Sequence, residues 1–223
     1  HDAALPGGQE LSGLTRAALA KACPTCPDLT EVVALAAELG AGVYADIKDK
    51  AAALATFELL AKAEIAPVII GAFDPDIVRL LKEAGSTYPV AGLVPLGADP
   101  HAHAQNADII HLCWENMPRP QDSLTREFFR QAFRDNKGVV LWHEEDPMRM
   151  AELRAKPVIG ICSDTPELVA PFRPPTDYPF GTVCHRGANT IAPENTLPAF
   201  ECALAGGFTH IEMDLHITTD GAI

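Results

Sequence analysis

Positive charge is scarce in this sequence of 223 residues. Lys and Arg together number 17 against 30 Asp and Glu, which gives a formal net charge of -13. A chain with this charge repels polyanions at long range, which argues against nucleic acid or an anionic membrane surface as a partner. Any anionic ligand would therefore need a local cation to hold it.

Long apolar runs are also lacking. No stretch approaches the roughly 18 to 20 consecutive apolar residues that a membrane span needs. The first residues lack the basic and apolar regions of a secretory signal peptide. We therefore expect a soluble protein without stable membrane insertion, and we expect it in the cytoplasm.

The cysteine pattern gives little support for a metal or redox site. Cys23 and Cys26 have the CxxC spacing, but the sequence has neither a second CxxC nor a His pair to complete a zinc site. We expect an ordinary loop here, with a redox or metal role as the alternative. A disulfide framework is not expected at this chain length.

The composition is that of a folded domain, with 48% hydrophobic and 21% charged residues. Its length suffices for a small eight-stranded α/β barrel. Between residues 30 and 170, short runs rich in β-branched residues alternate with segments of helical period, which is typical of βα units around a parallel sheet. The predicted strands are 42–48, 67–70, 90–94, 109–112, 138–142 and 158–161. The predicted helices are 29–39, 50–64, 75–84, 123–136 and 147–154.

A proline-rich segment separates these βα units from a shorter group of predicted elements near the end of the sequence. Residues 171–180 contain four prolines and cannot hold a regular element, so we interpret them as a tether. Strands at 182–185 and 210–215, with a helix at 194–205 between them, bring the strand count to eight. The sequence thus predicts one (β/α)8 TIM-barrel domain over residues 1–223.

Carboxylates with strand spacing are the first candidate site residues. Glu212 and Asp214 lie two apart on a predicted strand, so their side chains emerge on the same face, and Asp46 and Lys48 repeat this spacing on another strand. Oxygen ligands of this kind suit Mg²⁺ or Ca²⁺ rather than Zn²⁺. The alternative is that Glu212 and Asp214 are solvated charges on an edge strand.

A second candidate group follows the predicted strand at 182–185. In His185-Arg186-Gly187, the imidazole can transfer protons near neutral pH and the guanidinium can bind phosphate oxygens. The glycine permits close approach of the backbone. In a barrel this turn would lie at the carboxyl rim, where such enzymes place their active sites.

Four motifs together resemble the opening of the glycerophosphodiester phosphodiesterase family. In sequence order they are His185-Arg186-Gly187, Pro193-Glu194-Asn195-Thr196, Glu212-x-Asp214 and Thr219-Asp220-Gly221. In that family a strand ending in His-Asp follows, and later an acid-x-Lys strand. Here the chain begins with His1-Asp2 and carries Asp46-Ile47-Lys48 downstream. Trp142 and the segment 163–168 resemble later landmarks of the family.

The order of these landmarks is rotated. Residues 1–170 resemble the family's third to eighth strands, residues 171–181 form the tether, and residues 182–223 resemble the first two βα units. Three explanations are open: a circularly permuted barrel, a window across two tandem domains, or an exchange of halves between chains.

The resemblance implies a role for each matching residue. Glu212, Asp214 and Asp46 would bind a divalent metal, Mg²⁺ or Ca²⁺. His185 and His1 would act as general base and general acid. The phosphate would be held by Arg186 and Lys48, with Trp142 also at the substrate. The implied activity is hydrolysis of small glycerophosphodiesters to glycerol 3-phosphate and an alcohol.

Two departures from the family pattern bear on these roles. Asp46 stands where the family usually has Glu, one methylene longer, which can shift the ion or admit a water. The strand around Trp142 continues as His143-Glu144-Glu145 rather than Thr-Val-Asn, and strand alternation places Glu144 on the same side as Trp142. We therefore expect Glu144 to point into the site.

Other functions stay open at this stage. The same scaffold can host a lyase that releases a cyclic phosphate, and a rotated barrel can bind a ligand without catalysis. An inert piece of a tandem protein is a further alternative. The sequence predicts neither the preferred headgroup nor the oligomeric state.

Overall fold

A closed barrel of parallel strands forms the centre of the molecule. The computed structural model describes residues 5, 8, 10–63, 65–114, 117, 119–165 and 181–223. Within these ranges each strand pairs with the next in the chain, and the last pairs with the first, which confirms the predicted (β/α)8 TIM-barrel fold. The strands are β1 Gly42–Ile47, β2 Val68–Ala72, β3 Val90–Val94, β4 Ile109–Cys113, β5 Gly138–Trp142, β6 Gly160–Ser163, β7 Gly181–His185 and β8 His210–Leu215.

Helices cover the outside of the barrel. In the described ranges they are α1 Arg16–Ala22, α2 Leu29–Leu39, α3 Ala53–Ala63, α4 Pro75–Glu83, α5 Pro100–His103, α6 Arg126–Arg134, α7 Pro147–Leu153 and α8 Leu197–Ala205. Short 3₁₀ helices occupy Leu11–Gly13, Lys50–Ala52 and Pro120–Ser123. Among all of these, none combines the length and the apolar composition that crossing a membrane would require.

Capping residues explain where several helices begin. Asp28 forms a capping box with Glu31 at the start of α2, and Asp74 followed by Pro75 starts α4. The predicted helix 194–205 begins three residues late, at Leu197, because the Thr196 hydroxyl accepts from the Ala199 amide as the N-cap. Helices α1 and α5 were not predicted, since α1 has no buried residue and α5 is a single turn.

The CxxC segment lies between α1 and α2 as a loop, but its thiols are not reduced. Cys23 and Cys26 form a disulfide. The segment is a loop, as expected, and the disulfide within it is a feature that this expectation did not include. The proline-rich tether is largely outside the described residues, and Gly181, which we had placed at its end, is the first residue of β7.

Apolar side chains fill part of the barrel interior. Tyr44, Leu93, Val140 and Val183 belong to one buried cluster there. The Tyr44 hydroxyl is 2.6 Å from Nδ1 of His111, and burial lowers the pKa of His111 to about 3. His111 is thus a neutral, fully buried side chain paired with Tyr44.

The turn that ends β7 has unusual backbone geometry. Arg186 and Gly187 follow His185 with φ angles of 58° and 82°. A Cβ on Gly187 would lie 2.7 Å from the carbonyl carbon of Ala199 in α8. Only glycine fits here without a backbone shift, so the turn packs directly on the helix that follows.

Replacing Ile211 by Ala tests whether residues 181–223 belong to the same cooperative unit as the rest. Ile211 is buried in the main core through β8, so the loss should be about 2 to 5 kcal/mol in the free energy of unfolding. Urea unfolding should show a single transition, and the substitution should lower the urea concentration at its midpoint. Ile191→Ala is the matched control, because Ile191 is 59% exposed. If Ile211→Ala shifted only a minor transition of the unfolding curve, residues 181–223 would not belong to the same cooperative unit as the rest of the chain.

Replacing Gly187 by Ala separates steric conflict from backbone preference. Gly207 is the control, because it has a φ of 85° but open space around its missing Cβ. Gly207→Ala should cost about 1 to 2 kcal/mol for the left-handed conformation alone. We expect Gly187→Ala to cost clearly more, because α8 must also move. Equal losses in thermal unfolding would show that the contact with Ala199 is readily relieved.

Candidate active site

Three carboxylates meet where β1 and β8 end. In the barrel register Asp46 lies opposite Asp214, and Tyr44 lies opposite Glu212. One oxygen atom from each of Asp46, Glu212 and Asp214 falls within 4.8 Å of the other two. The alternative of solvated charges on an edge strand is wrong, because β8 pairs with a strand on both sides and Glu212 is only 3% exposed.

Burial makes this carboxylate cluster electrostatically costly. Burial, together with the charges of Asp214 and Asp46, raises the pKa of Glu212 to about 7. Burial also raises the pKa of Asp46, although the Lys48 ammonium opposes the shift. The Oδ1 atom of Asp46 is buried without a hydrogen-bond partner in the described part of the chain. A cation bound by these oxygens would remove this cost.

Two basic side chains lie against the cluster. The Lys48 ammonium contacts the Asp46 carboxylate and is 3.1 Å from Oδ1 of Asp214. Burial would lower the pKa of Lys48, but Asp46, Asp214 and Glu212 outweigh it and raise that pKa. Arg186 Nε is 2.9 Å from Oδ2 of Asp214, and both side chains are less than a tenth exposed. Both cations therefore stay charged.

Motif residues on the turn before α8 fix Arg186 and Asp214. Arg186 Nη1 donates to Glu194 at 2.8 Å, and its backbone amide donates to a Glu212 side-chain oxygen at 3.0 Å. Asn195 forms two hydrogen bonds with Asp214 on β8: its Nδ2 donates to Asp214 Oδ2 at 3.3 Å, and its Oδ1 accepts from the Asp214 amide at 3.2 Å. These hydrogen bonds join the turn to β8.

His185 lies between two carboxylates. Its Nδ1 contacts the Asp164 carboxylate, and its Nε2 is 3.9 Å from Oε2 of Glu212. Burial would lower the pKa of His185, but Glu212 and Asp164 outweigh it and raise that pKa. The two ring nitrogens therefore face different environments, with Nε2 directed toward the carboxylate cluster.

Aromatic side chains form the wall beside His185. The Trp142 ring packs edge-on against the His185 ring at 5.1 Å and against the Phe73 ring at 6.2 Å between centroids. The Lys48 ammonium lies 5.2 Å from the centre of the Phe73 ring. Trp142 and Lys48, both predicted to contact substrate, therefore border the same space.

The residues after β5 do not follow the expected alternation. The strand ends at Trp142, and Glu144 turns away to pair with Arg149 at 3.0 Å and to accept the amides of Glu145 and Asp146. The expectation that Glu144 points into the site was therefore wrong. Glu145 takes that side, within 3.1 Å of His143 Nδ1 and in contact with the end of β6.

The structure thus brings together seven of the eight residues singled out from the sequence: His185, Arg186, Lys48, Trp142, Glu212, Asp214 and Asp46. The eighth, His1, lies outside the described residues. The sequence did not predict the contacts that Asp164 and Glu145 make beside the site. The motif at 163–168 marked Asp164, but nothing in the sequence placed it against His185, 21 residues away.

The barrel resembles two solved structures. One is from Parabacteroides distasonis ATCC 8503, a glycerophosphodiester phosphodiesterase: identity is 14%, TM-score 0.60, and the match covers 75% of this chain and 74% of that chain. The other is from Silicibacter pomeroyi DSS-3, a protein whose assignment as a glycerophosphoryl diester phosphodiesterase is provisional. There identity is 18%, TM-score 0.50, and the match covers 61% of this chain but only 52% of that one. These likenesses establish the shared fold.

No curated protein matches the chain significantly. The sequence model of the glycerophosphoryl diester phosphodiesterase family, however, matches residues 29–168 and 185–223. These two stretches contain every described residue of the candidate site and all four motifs of the resemblance. The expectation drawn from those motifs is therefore confirmed: this chain belongs to the glycerophosphoryl diester phosphodiesterase family.

Proposed function

We propose that this barrel hydrolyses small glycerophosphodiesters to glycerol 3-phosphate and an alcohol, with a divalent cation and two histidines. The observation that carries the proposal is the convergence of three buried or half-buried carboxylates, the cations of Lys48 and Arg186, and His185 at the carboxyl ends of β1, β7 and β8. Family membership supports phosphodiester hydrolysis in general.

The donor set fits a hard divalent cation. All three candidate ligands, Asp46, Glu212 and Asp214, are carboxylates, and oxygen donors of this kind suit Mg²⁺ or Ca²⁺. The raised pKa of Glu212, about 7, and the Oδ1 atom of Asp46, which has no hydrogen-bond partner among the described residues, both indicate a place where positive charge is needed. When bound, such a cation would neutralise phosphate charge and make a nucleophile more acidic.

Charge balance favours a phosphodiester as the substrate. Apart from Glu194, whose half-exposed side chain also pairs with Arg186, the carboxylates of Asp46, Glu212 and Asp214 outnumber the cations of Lys48 and Arg186 by one. A divalent ion would turn this excess into a single positive charge. A phosphodiester carries one negative charge, so the filled site would be neutral.

The chain's own residues would handle the protons and the phosphate. Nε2 of His185 would take a proton from the attacking water as the new P–O bond forms. The leaving alkoxide would receive a proton as its P–O bond breaks, and we assign this step to His1 on the family resemblance. Arg186 Nη2 is buried and has no hydrogen-bond partner in the described ranges, and we assign it to a phosphate oxygen.

We also propose that residues 1–223 form a single catalytic unit in which residues 182–223 take the place of the family's first two βα units. The pairing of β7 with β6, and of β8 with β1, supports this arrangement. The catalytic histidine and two carboxylates would then come from one segment, and Asp46 and Lys48 from the other. Neither segment would be active alone.

Cation binding should be measurable without any substrate. Adding Ca²⁺ or Mg²⁺ at a hundred times its dissociation constant should stabilise the folded protein by about 2.7 kcal/mol and raise its melting temperature. Glu212→Gln should abolish this shift, whereas Glu83→Gln, which changes an exposed carboxylate paired with Arg79, should retain it. An identical cation-induced shift in Glu212→Gln would place the ion elsewhere.

Turnover of a glycerophosphodiester such as glycerophosphocholine, followed by phosphorus NMR, tests the reaction. Glycerol 3-phosphate should accumulate, and a chelator should stop the reaction. His185→Ala should lower kcat by about 10²- to 10⁴-fold, the usual contribution of general acid–base catalysis. His101→Ala is the control, because His101 packs against Phe128 at 5.1 Å between ring centres, away from the carboxylate cluster.

The same spectra separate the competing chemistries. A cyclic phosphate that persists would show a lyase on this scaffold and contradict hydrolysis. Absence of metal-dependent turnover, with His185→Ala indistinguishable from the parent protein, would show a barrel that binds a ligand without catalysis.

A further inference from the structure

The imidazole of His185 is held from the side opposite the carboxylate cluster. Its Nδ1 contacts the carboxylate of Asp164, the residue that follows β6. A carboxylate can only accept a hydrogen bond, so in the neutral imidazole the proton must lie on Nδ1. The lone pair is then on Nε2, the nitrogen that faces Glu212 at 3.9 Å.

Asp164 is itself held in place by Glu145. One oxygen of Glu145 accepts the Asp164 amide at 2.6 Å, and the other accepts the Ser163 hydroxyl at 3.0 Å and the Thr165 hydroxyl. Three consecutive residues at the end of β6 are therefore tied to one carboxylate on the neighbouring β5 segment. These bonds leave Asp164 little freedom to turn away from His185.

His143 completes the arrangement. Its ring is stacked on the His185 ring, with centroids 5.8 Å apart and planes 10° from parallel. Nδ1 of His143 is 3.1 Å from Glu145, and Nε2 is 3.9 Å from Asp164. His143 is therefore within 4 Å of both carboxylates while its ring stacks on that of His185.

We propose that Asp164 and Glu145 are positioning residues for His185. Glu145 fixes the end of β6, and Asp164 holds the proton of His185 on Nδ1 so that Nε2 is the basic nitrogen at the carboxylate cluster. Neither residue needs to contact substrate. The inference rests on the proposed function, because a preferred nitrogen matters for catalysis only if His185 is the base.

The tautomer of His185 can be observed directly by two-bond ¹H–¹⁵N correlation spectra of the histidine side chains, with His185→Ala used for assignment. We expect neutral His185 in the parent protein to carry its proton on Nδ1. Asp164→Asn should produce a mixture or the Nε2–H form, because an amide can donate as well as accept. Asp76→Asn, at an exposed ion pair with Arg79, is the matched control. An unchanged His185 tautomer in Asp164→Asn would overturn the proposal.

A double-mutant cycle tests whether Asp164 acts through His185. Asp164→Asn should lower kcat roughly tenfold to a thousandfold with KM within about twofold, by analogy with the loss of orienting carboxylates in other His-dependent enzymes. In the His185→Ala background the same substitution should change kcat less than about twofold. Equal losses in both backgrounds would show a structural role and overturn the proposal.

The adjacent carboxylates Glu145 and Glu144 give a second, independent comparison. Glu145→Gln should lower kcat in the same direction as Asp164→Asn but by less, because the amide keeps part of the bonding to the end of β6. Glu144→Gln, which weakens the pair with Arg149, should change stability without changing the His185 tautomer. If Glu144→Gln shifts the tautomer as much as Glu145→Gln does, the assignment to Glu145 is wrong.

The spectra and the kinetics distinguish failure of this proposal from failure of the proposed function. A protein without phosphodiesterase activity in which Asp164→Asn still changes the tautomer would disprove the function and leave the positioning intact. An active protein in which Asp164→Asn leaves the His185 tautomer unchanged would disprove the positioning role and leave the proposed function intact.

Discussion

The proximity of three carboxylates on two paired strands, two of them buried and one half-buried, is the constraint on which the rest of the site depends. Asp46 and Asp214 are direct partners in the β1–β8 register. Glu212 lies two residues before Asp214 on β8, on the same face. Carboxylates this close repel each other when buried, and a fold retains them only where opposite charge compensates. Lys48 and Arg186 supply two such charges, and the proposed divalent cation supplies the remainder.

The pairing of β6 with β7 places the imidazole of His185 in the site. Strand β7 carries His185, and β6 leads into Asp164, so closing the barrel at this seam brings the imidazole between Asp164 and Glu212. The seam between β8 and β1 assembles the carboxylates. Both seams join residues 181–223 to the rest of the chain, so the closed barrel brings the two parts of the proposed site together.

Much of the fold could be predicted from the sequence, because strand runs and helix caps are local signals. The Asp28 and Asp74 caps and the strand spacing of Glu212 and Asp214 are of this kind. The contact of Asp164 with His185 could not be predicted, because it depends on which strands become neighbours. Glu144 does not point into the site as expected, because alternation holds only within a strand, and β5 ends at Trp142. Helix α1 was missed because it has no buried apolar face to leave a pattern.

A crystal structure of the protein grown with Ca²⁺ and glycerol 3-phosphate would test the central claim most directly. The account predicts one ion with an oxygen of Asp46, Glu212 and Asp214 each at about 2.3 to 2.6 Å, with Lys48 displaced from between Asp46 and Asp214. The phosphate should lie against that ion and Arg186. An ion bound elsewhere, with Lys48 still bridging the two aspartates, would contradict the account.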